Sequence, residues 1–368
     1  MVKLVESDHG QTPPPKIGYL LFGIPTIVFT SADDLNELYV TKNSAYSKHP
    51  IKRAGSAPLF NKSMALMDTD DPDYKAKRKA LSAAFLKSKM SQIIEITKES
   101  AFVSFAELQQ KGAESEIELV STVSKVQAHI ITSILVGVKY SFQKIPHTDI
   151  DTGKVTQKTL GDYMDAIIED QMSRLTKNPL LKINPAKFAE KEIFAVDTRF
   201  FANVRELRGF IKKIIEAKKE QKDNEAGDIV ALLLQDSSYQ KEEDIIDDML
   251  LMFIAGSKTI MSVTINYICS MLHYPDEEKR LRVEVDDLFK QIGSDVIGKL
   301  NQEAVEDLEY VKNSYNESLR LNSAASISQI SQMTRNVTIG GAEVRKDDAF
   351  IVDITHLQRD PKQWRDPM

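Results

Sequence analysis

Cysteine is almost absent: Cys269 stands alone among 368 residues. A single thiol excludes an intramolecular disulfide framework and suits a reducing compartment. Histidine is sparse as well. His9, His49, His129, His147, His273 and His356 are scattered, with no pair four residues apart, which excludes the usual zinc spacing. Positive charge is not in excess, since 48 lysines and arginines face 54 acids for a net charge of −6. A chain with that balance is not built to grip phosphate backbones, so nucleic acid is not expected as a partner. In the most apolar segment the longest unbroken run is Met249 to Gly256, well short of the ~20 residues that cross a bilayer as a helix. The first stretch, MVKLVESDHGQTPPPK, is polar and proline-rich, without the apolar core of a signal peptide or an anchor helix. Repeats, low-complexity blocks and linkers are also missing. Residues 17–368 therefore read as one domain behind a short polar segment, residues 1–16.

What is present suffices for a large core: 42% hydrophobic and 28% charged residues, the balance of a soluble globular chain. Residues 17–30, IGYLLFGIPTIVFT, are β-branched and aromatic runs split by Gly23 and Pro25, and they predict a hairpin. Ser31 is expected to open a helix with Asp34 as capping-box partner. Residues 46–72 predict an irregular stretch rich in Pro, Gly and Ser. From Pro72, DPDYKAKRKALSAAFLKSKM predicts a helix with Leu81, Ala84 and Phe85 inward. Its Lys75, Lys77, Arg78, Lys79, Lys87 and Lys89 form either a solvated face or a positive patch for an acidic partner or an anionic ligand group. Helical periodicity follows at 91–110, 116–136, 160–176 and 197–222. The apolar connector from Asn178 to Phe194 reads as packing or as a ligand-access lid. Asp228, Pro275 and Gln302 each start a further helix, the last running to Leu321. Residues 326–354 turn to short β-prone pieces expected to return to the hairpin. The fold class is mostly α (α+β), with a small β-sheet.

Between Ile245 and Leu272 the chain reads IIDDMLLMFIAGSKTIMSVTINYICSML. Apolar residues fall on nearly every face, which predicts a helix surrounded by protein, roughly 40 Å long at ~1.5 Å per residue. Cys269 is expected in its core-facing side. Gly256 interrupts this helix at a cost of ~1 kcal/mol relative to alanine, so something must need the missing side chain. Two readings stay open: a close crossing with another helix, or a flat ligand against the backbone.

Five segments, in order, resemble the cytochrome P-450 superfamily, the haem-thiolate monooxygenases. Tyr19 to Tyr39 looks like its opening sheet and helix. Tyr74-Lys-Ala-Lys-Arg78, followed by LSAAF, is similar to its W-x-x-x-R helix, with tyrosine for tryptophan. Ala255-Gly256-Ser257-Lys258-Thr259 resembles the A-G-x-(D/E)-T motif of its long distal helix. Glu317-Ser-Leu-Arg320 is similar to its E-x-x-R helix. Arg359-Asp-Pro-Lys-Gln-Trp364-Arg-Asp-Pro367 resembles the stretch that leads toward its haem loop. Each motif alone is weak, and their order along the chain carries the resemblance.

The resemblance implies a single domain with a long central distal helix. It would bind haem b (iron protoporphyrin) and O2, and take electrons from a reductase docked near Lys75–Lys89. It would insert one oxygen atom into a small apolar organic substrate. Ala255 and Gly256 would form the wall over the porphyrin, Thr259 would donate a hydrogen bond and relay protons beside the oxygen site, and Arg78 with Tyr74 would hold a propionate. Glu317 and Arg320 would brace the haem core as a buried pair. Three departures stand out. The loop whose cysteine ligates the iron would follow Met368, so no metal ligand is expected here; the chain reads as incomplete at its C-terminus and inactive as written, with haem expected only in the complete protein. Lys258 stands where the family has an acid, which unsettles the usual proton route. Asn322-Ser323 replaces an aromatic-proline step. These departures keep two other readings in play: a haem-free helical binding or scaffold protein, and a haem isomerase or dehydratase of the same superfamily, against which Thr259 speaks. Without a signal or anchor the chain reads as cytoplasmic as written, and the parent's compartment is left open, the endoplasmic reticulum included.

Overall fold

The computed structural model describes residues 16–21, 24–68, 70–84, 87–110, 116–221, 228–293 and 296–368. In chain order its main elements are β1 (Lys16–Leu21), β2 (Ile24–Phe29), α1 (Ala32–Asn36), β3 (Tyr46–Lys48), α2 (Pro50–Phe60), α3 (Pro72–Ala84), α4 (Lys87–Gln109), α5 (Leu119–Val136), β4 (Lys144–Thr148), β5 (Val155–Thr159), α6 (Leu160–Lys177), α7 (Ala195–Gln221), α8 (Ile229–Gln235), α9 (Glu242–His273), α10 (Pro275–Ile292), α11 (Glu309–Leu321), β6 (Ser331–Met333), β7 (Val337–Ile339), β8 (Ala342–Val344) and β9 (Ala349–Val352). The class is mostly α with a small sheet, and the chain gathers into two compact units.

One unit takes the segments up to Lys52 and from Asn313 onward. Its sheet has the order β1-β2-β9-β6-β3. The hairpin pairs Lys16 with Phe29 through Leu21 with Ile24, and the late β-prone run returns to it as β9, parallel to β2. Phe29 and Phe350 are fully buried on these two strands and meet edge to face at 5.8 Å, a favoured aromatic geometry. The capping box does not form, because Ser31 makes no side-chain cap bond. Asp34 instead turns its carboxylate to Lys16 at 2.6 Å, where a charge-assisted bond is stronger than one to a neutral amide.

The other unit, Arg53–Lys312, holds the main helical core. The irregular stretch expected at 46–72 is partly helical: Pro50 suits a first turn, and α2 ends two residues after Pro58. The single helix expected over 302–321 is broken. Its second half restarts as α11 because Glu284 on α10 accepts the N–H groups of Tyr310 and Val311, each at 2.9 Å, satisfying donors that a new helix leaves orphaned.

Helix α9 runs 32 residues. Ile245, Ile246, Met249, Leu250 and Phe253 bury its first half. The second half is not enclosed: Ile260 is 42% and Leu272 74% exposed, and Cys269 is exposed as well. The expectation of a rod covered on all sides, with a core cysteine, is thus corrected, since the outer face of these turns is open. By length and composition alone α5 and α9 are apolar enough to cross a membrane. Both contribute buried side chains to the helical core.

Candidate functional site

The turn Ala255–Thr259 lies near the middle of α9, where α5 crosses it. A Cβ on Gly256 would stand 2.9 Å from Ile131 Cδ1 on α5, closer than real Cβ contacts. A side chain at 256 would thus have to displace the end of Ile131 at this crossing. Side chains of the turn divide by face. Ala255 and Thr259, four apart and hence on one side, are exposed, whereas Ser257 is fully buried. The Thr259 hydroxyl donates to the Ala255 carbonyl, a back-bond that bends helices slightly. The result is an exposed strip of small residues with one hydroxyl.

Lys258 turns away from that strip. Its Nζ lies 3.2 Å from Asp165 Oδ2 on α6, and Asp165 also accepts from Ser124 Oγ at 2.7 Å and Ser257 Oγ at 3.3 Å. A carboxylate does stand beside this turn, contributed by a different helix. Sequence spacing could not have shown it.

On α3, Tyr74 and Arg78 share a face, the tyrosine half-buried and the arginine exposed. Lys77 points inward: it is 3% exposed, its Nζ is 3.3 Å from Asp244 and 5.5 Å over the Tyr239 ring. The basic patch is corrected accordingly to Lys75, Arg78 and Lys79; the side chains of Lys87 and Lys89 lie outside the described residues. Next to Asp244, two more acids of α9 tie down the segment that leads from α2 toward α3. Asp247 accepts the Lys62 N–H and Asp248 the Met64 N–H, both at 2.6 Å, and Tyr239 Oη donates to Asp248 at 2.7 Å. Burial pushes the Asp248 carboxyl up, only partly offset by the Met64 N–H and the Tyr239 hydroxyl. Burial opposes the Arg208 charge, but Asp247, 2.5 Å away, and Glu243 outweigh it and hold that guanidinium above its ordinary value.

The connector after α6 is pinned at both ends, which supports packing over a lid. Arg174 is fully buried with Nε 2.7 Å from Asp197 Oδ1. Asn178 Nδ2 reaches both Asp197 oxygens at 3.0 and 3.1 Å, and the Ile193 and Phe194 N–H groups add bonds of 3.2 and 2.9 Å. Burial pushes Asp197 up, but the Phe194 N–H, Arg174 and Asn178 outweigh it and hold the carboxyl below its usual range.

In the sheet-bearing unit, Arg320 binds Glu317 twice, at 2.8 and 2.6 Å. It also donates to the carbonyls of Gln358 at 2.6 Å and Pro367 at 3.1 Å and lies 4.7 Å over the Trp364 ring. The arginine side chain is 5% exposed and the glutamate 53%, so the expected buried pair is buried on one side only. Arg320 holds Glu317 below the usual carboxylate range. Two segments singled out separately, E-x-x-R and R-D-P-x-x-W, are here one interaction.

A family model described as Cytochrome P450 matches residues 10–368. Cytochrome P450 726A27 of Euphorbia lathyris is 23% identical over 354 residues, covering 94% of this chain and 66% of that protein. Isoflavone 3'-hydroxylase of Medicago truncatula is 27% identical over 230 residues, 59% of this chain and 43% of that one. The chain therefore spans about two thirds or less of the length of these relatives. Among solved structures, a mutant heme domain of cytochrome P450DA superposes with a TM-score of 0.80 at 17% identity, over 99% of this chain and 74% of that chain. Retinoic acid bound cyanobacterial CYP120A1 gives 0.73 at 18%, over 99% and 74%.

Proposed function

Because the chain belongs to the cytochrome P450 family, we propose that it supplies the substrate-side wall of a haem-dependent monooxygenase, which inserts one oxygen atom from O2 into a small apolar organic substrate. The observation that carries this reading is the exposed strip of Ala255 and Thr259, with the threonine hydroxyl oriented by its own helix. Small side chains on that strip would leave room for a haem b ring. When bound, haem supplies oxygen activation; the residues of this chain do the rest. Ala255 leaves room at the ring face. Thr259 keeps a proton at Oγ1, lent to the Ala255 carbonyl and available to an acceptor on the open side. Arg78, exposed one turn from Tyr74, would hold a propionate through a charge-assisted bond, with the Tyr74 phenol as a second donor. Lys75 and Lys79, both exposed, form the docking face for an acidic electron donor.

Cys269 is not the iron's thiolate. It follows Thr259 on the same helix, ~15 Å along the axis by helical rise, and so would belong to the wall that Ala255 and Thr259 form. On this reading a thiolate for the iron would come from a cysteine other than Cys269. Expression of the chain alone, and joined to a segment bearing the family's cysteine loop, tests this reading. After haem loading, the reduced carbon-monoxide difference spectrum should show thiolate ligation only in the joined protein. A joined protein that takes up no haem refutes the reading.

A further inference from the structure

We propose that Asp165 is the positioning residue for the Thr259 turn: it holds α9 at the rotation that presents Ala255 and Thr259 to the open side. The inference rests on the monooxygenase reading. The Asp165 side chain is 15% exposed, and its two oxygens collect three donors from two other helices. Oδ2 takes Ser124 Oγ of α5 at 2.7 Å and Lys258 Nζ of α9 at 3.2 Å, and Oδ1 takes Ser257 Oγ of α9 at 3.3 Å. One carboxylate on α6 thus ties α5, α6 and α9 together at the level of the motif. Ser257 and Lys258 immediately precede Thr259. A helix turns as a body, about 100° per residue, so holding 257 and 258 fixes the rotation of the whole turn: Ala255 and Thr259 both lie about 160° from Ser257, and about 60° and 100° from Lys258. At the same level Gly256 faces Ile131 of α5, whose Cδ1 would lie 2.9 Å from a Cβ there. Removal of Asp165 strands a buried hydroxyl and a half-buried ammonium without their acceptor. The helix is then free to roll, and the Thr259 hydroxyl moves with it.

A merely structural ion pair would share the stability signature, so the test has two arms. The first takes this chain through a thermal-melt cycle of D165N, K258M and the double variant. Each single substitution should lower the midpoint by about 2–4 °C, and the double should lose clearly less than the sum; additive losses overturn the pairing. Should D165N not fold, S257A removes only the longest of the three bonds and carries the same expectation at smaller size. The second arm uses the haem-loaded protein joined to its cysteine loop. D165N should raise several-fold the share of donor electrons that ends in hydrogen peroxide instead of product, and the exchange D165K/K258D should return it toward wild type. A peroxide share unmoved by D165N, alongside coupled melts, overturns the positioning role. Wild-type protein that takes up no haem removes the monooxygenase reading and the role with it, while the melt coupling stands, so the two failures are distinguishable.

Discussion

Gly256 and Thr259, less than one helical turn apart, answer to different neighbours, and substitutions should separate them. Alanine at 256 gains ~1 kcal/mol of helix propensity and asks only that the terminal methyl of Ile131, 2.9 Å from the new Cβ, shift. G256A is therefore expected to be close to neutral in urea melts. G256V should cost about 1–3 kcal/mol as overpacking, and I131A should relieve most of it; valine tolerated with Ile131 in place would mean that the crossing does not set the residue. T259V keeps the shape and loses the hydroxyl. Being exposed, it should change stability by less than about 0.5 kcal/mol, while product formed per electron in the haem-loaded enzyme falls by roughly a hundredfold, the scale of a lost proton donor. Equal product yields would remove Thr259 from the chemistry. At this scale the sequence was legible where spacing maps directly onto a helix face, as for Ala255 with Thr259 and Tyr74 with Arg78. It was silent on Asp165 and on the Lys77–Asp244 pair. Those contacts join residues far apart in the chain, and no periodicity links them.

Among the elements, the α6–α7 connection is held by charge inside the core. Asp197 collects Arg174, Asn178 and two backbone N–H groups, and removing it leaves a fully buried guanidinium unpaired. D197A should cost about 3–5 kcal/mol. The pH dependence follows from the lowered Asp197 carboxyl. Its contribution is complete above the ordinary carboxylate value and is lost as pH falls through the lower folded-state value. Wild-type stability should thus fall more steeply than that of D197N on the acid side, measured by denaturant melts at successive pH values. The raised Asp248 carboxyl works in the opposite sense. Between its ordinary and its raised value, stability falls as pH rises, and D248N should lack that decline. Helices α3, α9 and α10 and the opening hairpin were readable because their patterns are local. The break before α11 and the failed capping box were not, because Glu284 and Lys16 decide them from other elements.

For the molecule as a whole, the apolar composition gave the mostly α core but not where covering stops. Leu272 and Tyr274 at the end of α9 are 74% and 56% exposed, and Val283 and Phe289 on α10 are 61% and 45%. Exposed apolar groups of this kind promote association. The isolated chain should bind a hydrophobic dye and scatter light as its concentration rises, and L272K with V283K should reduce both without lowering the melting midpoint. An unchanged dye signal would assign the binding to another surface. Elsewhere the chain is secured in a way that leaves it open to change. Asp247 and Asp248 grip the 62–64 segment by backbone N–H groups, which every residue except proline possesses. Position 62 is thereby a place where identity can drift under selection or be randomised in a library. The cavity of about 350 Å³ that Lys62 lines with Lys77, Lys241 and Asp244 can change its chemical character while the segment stays moored.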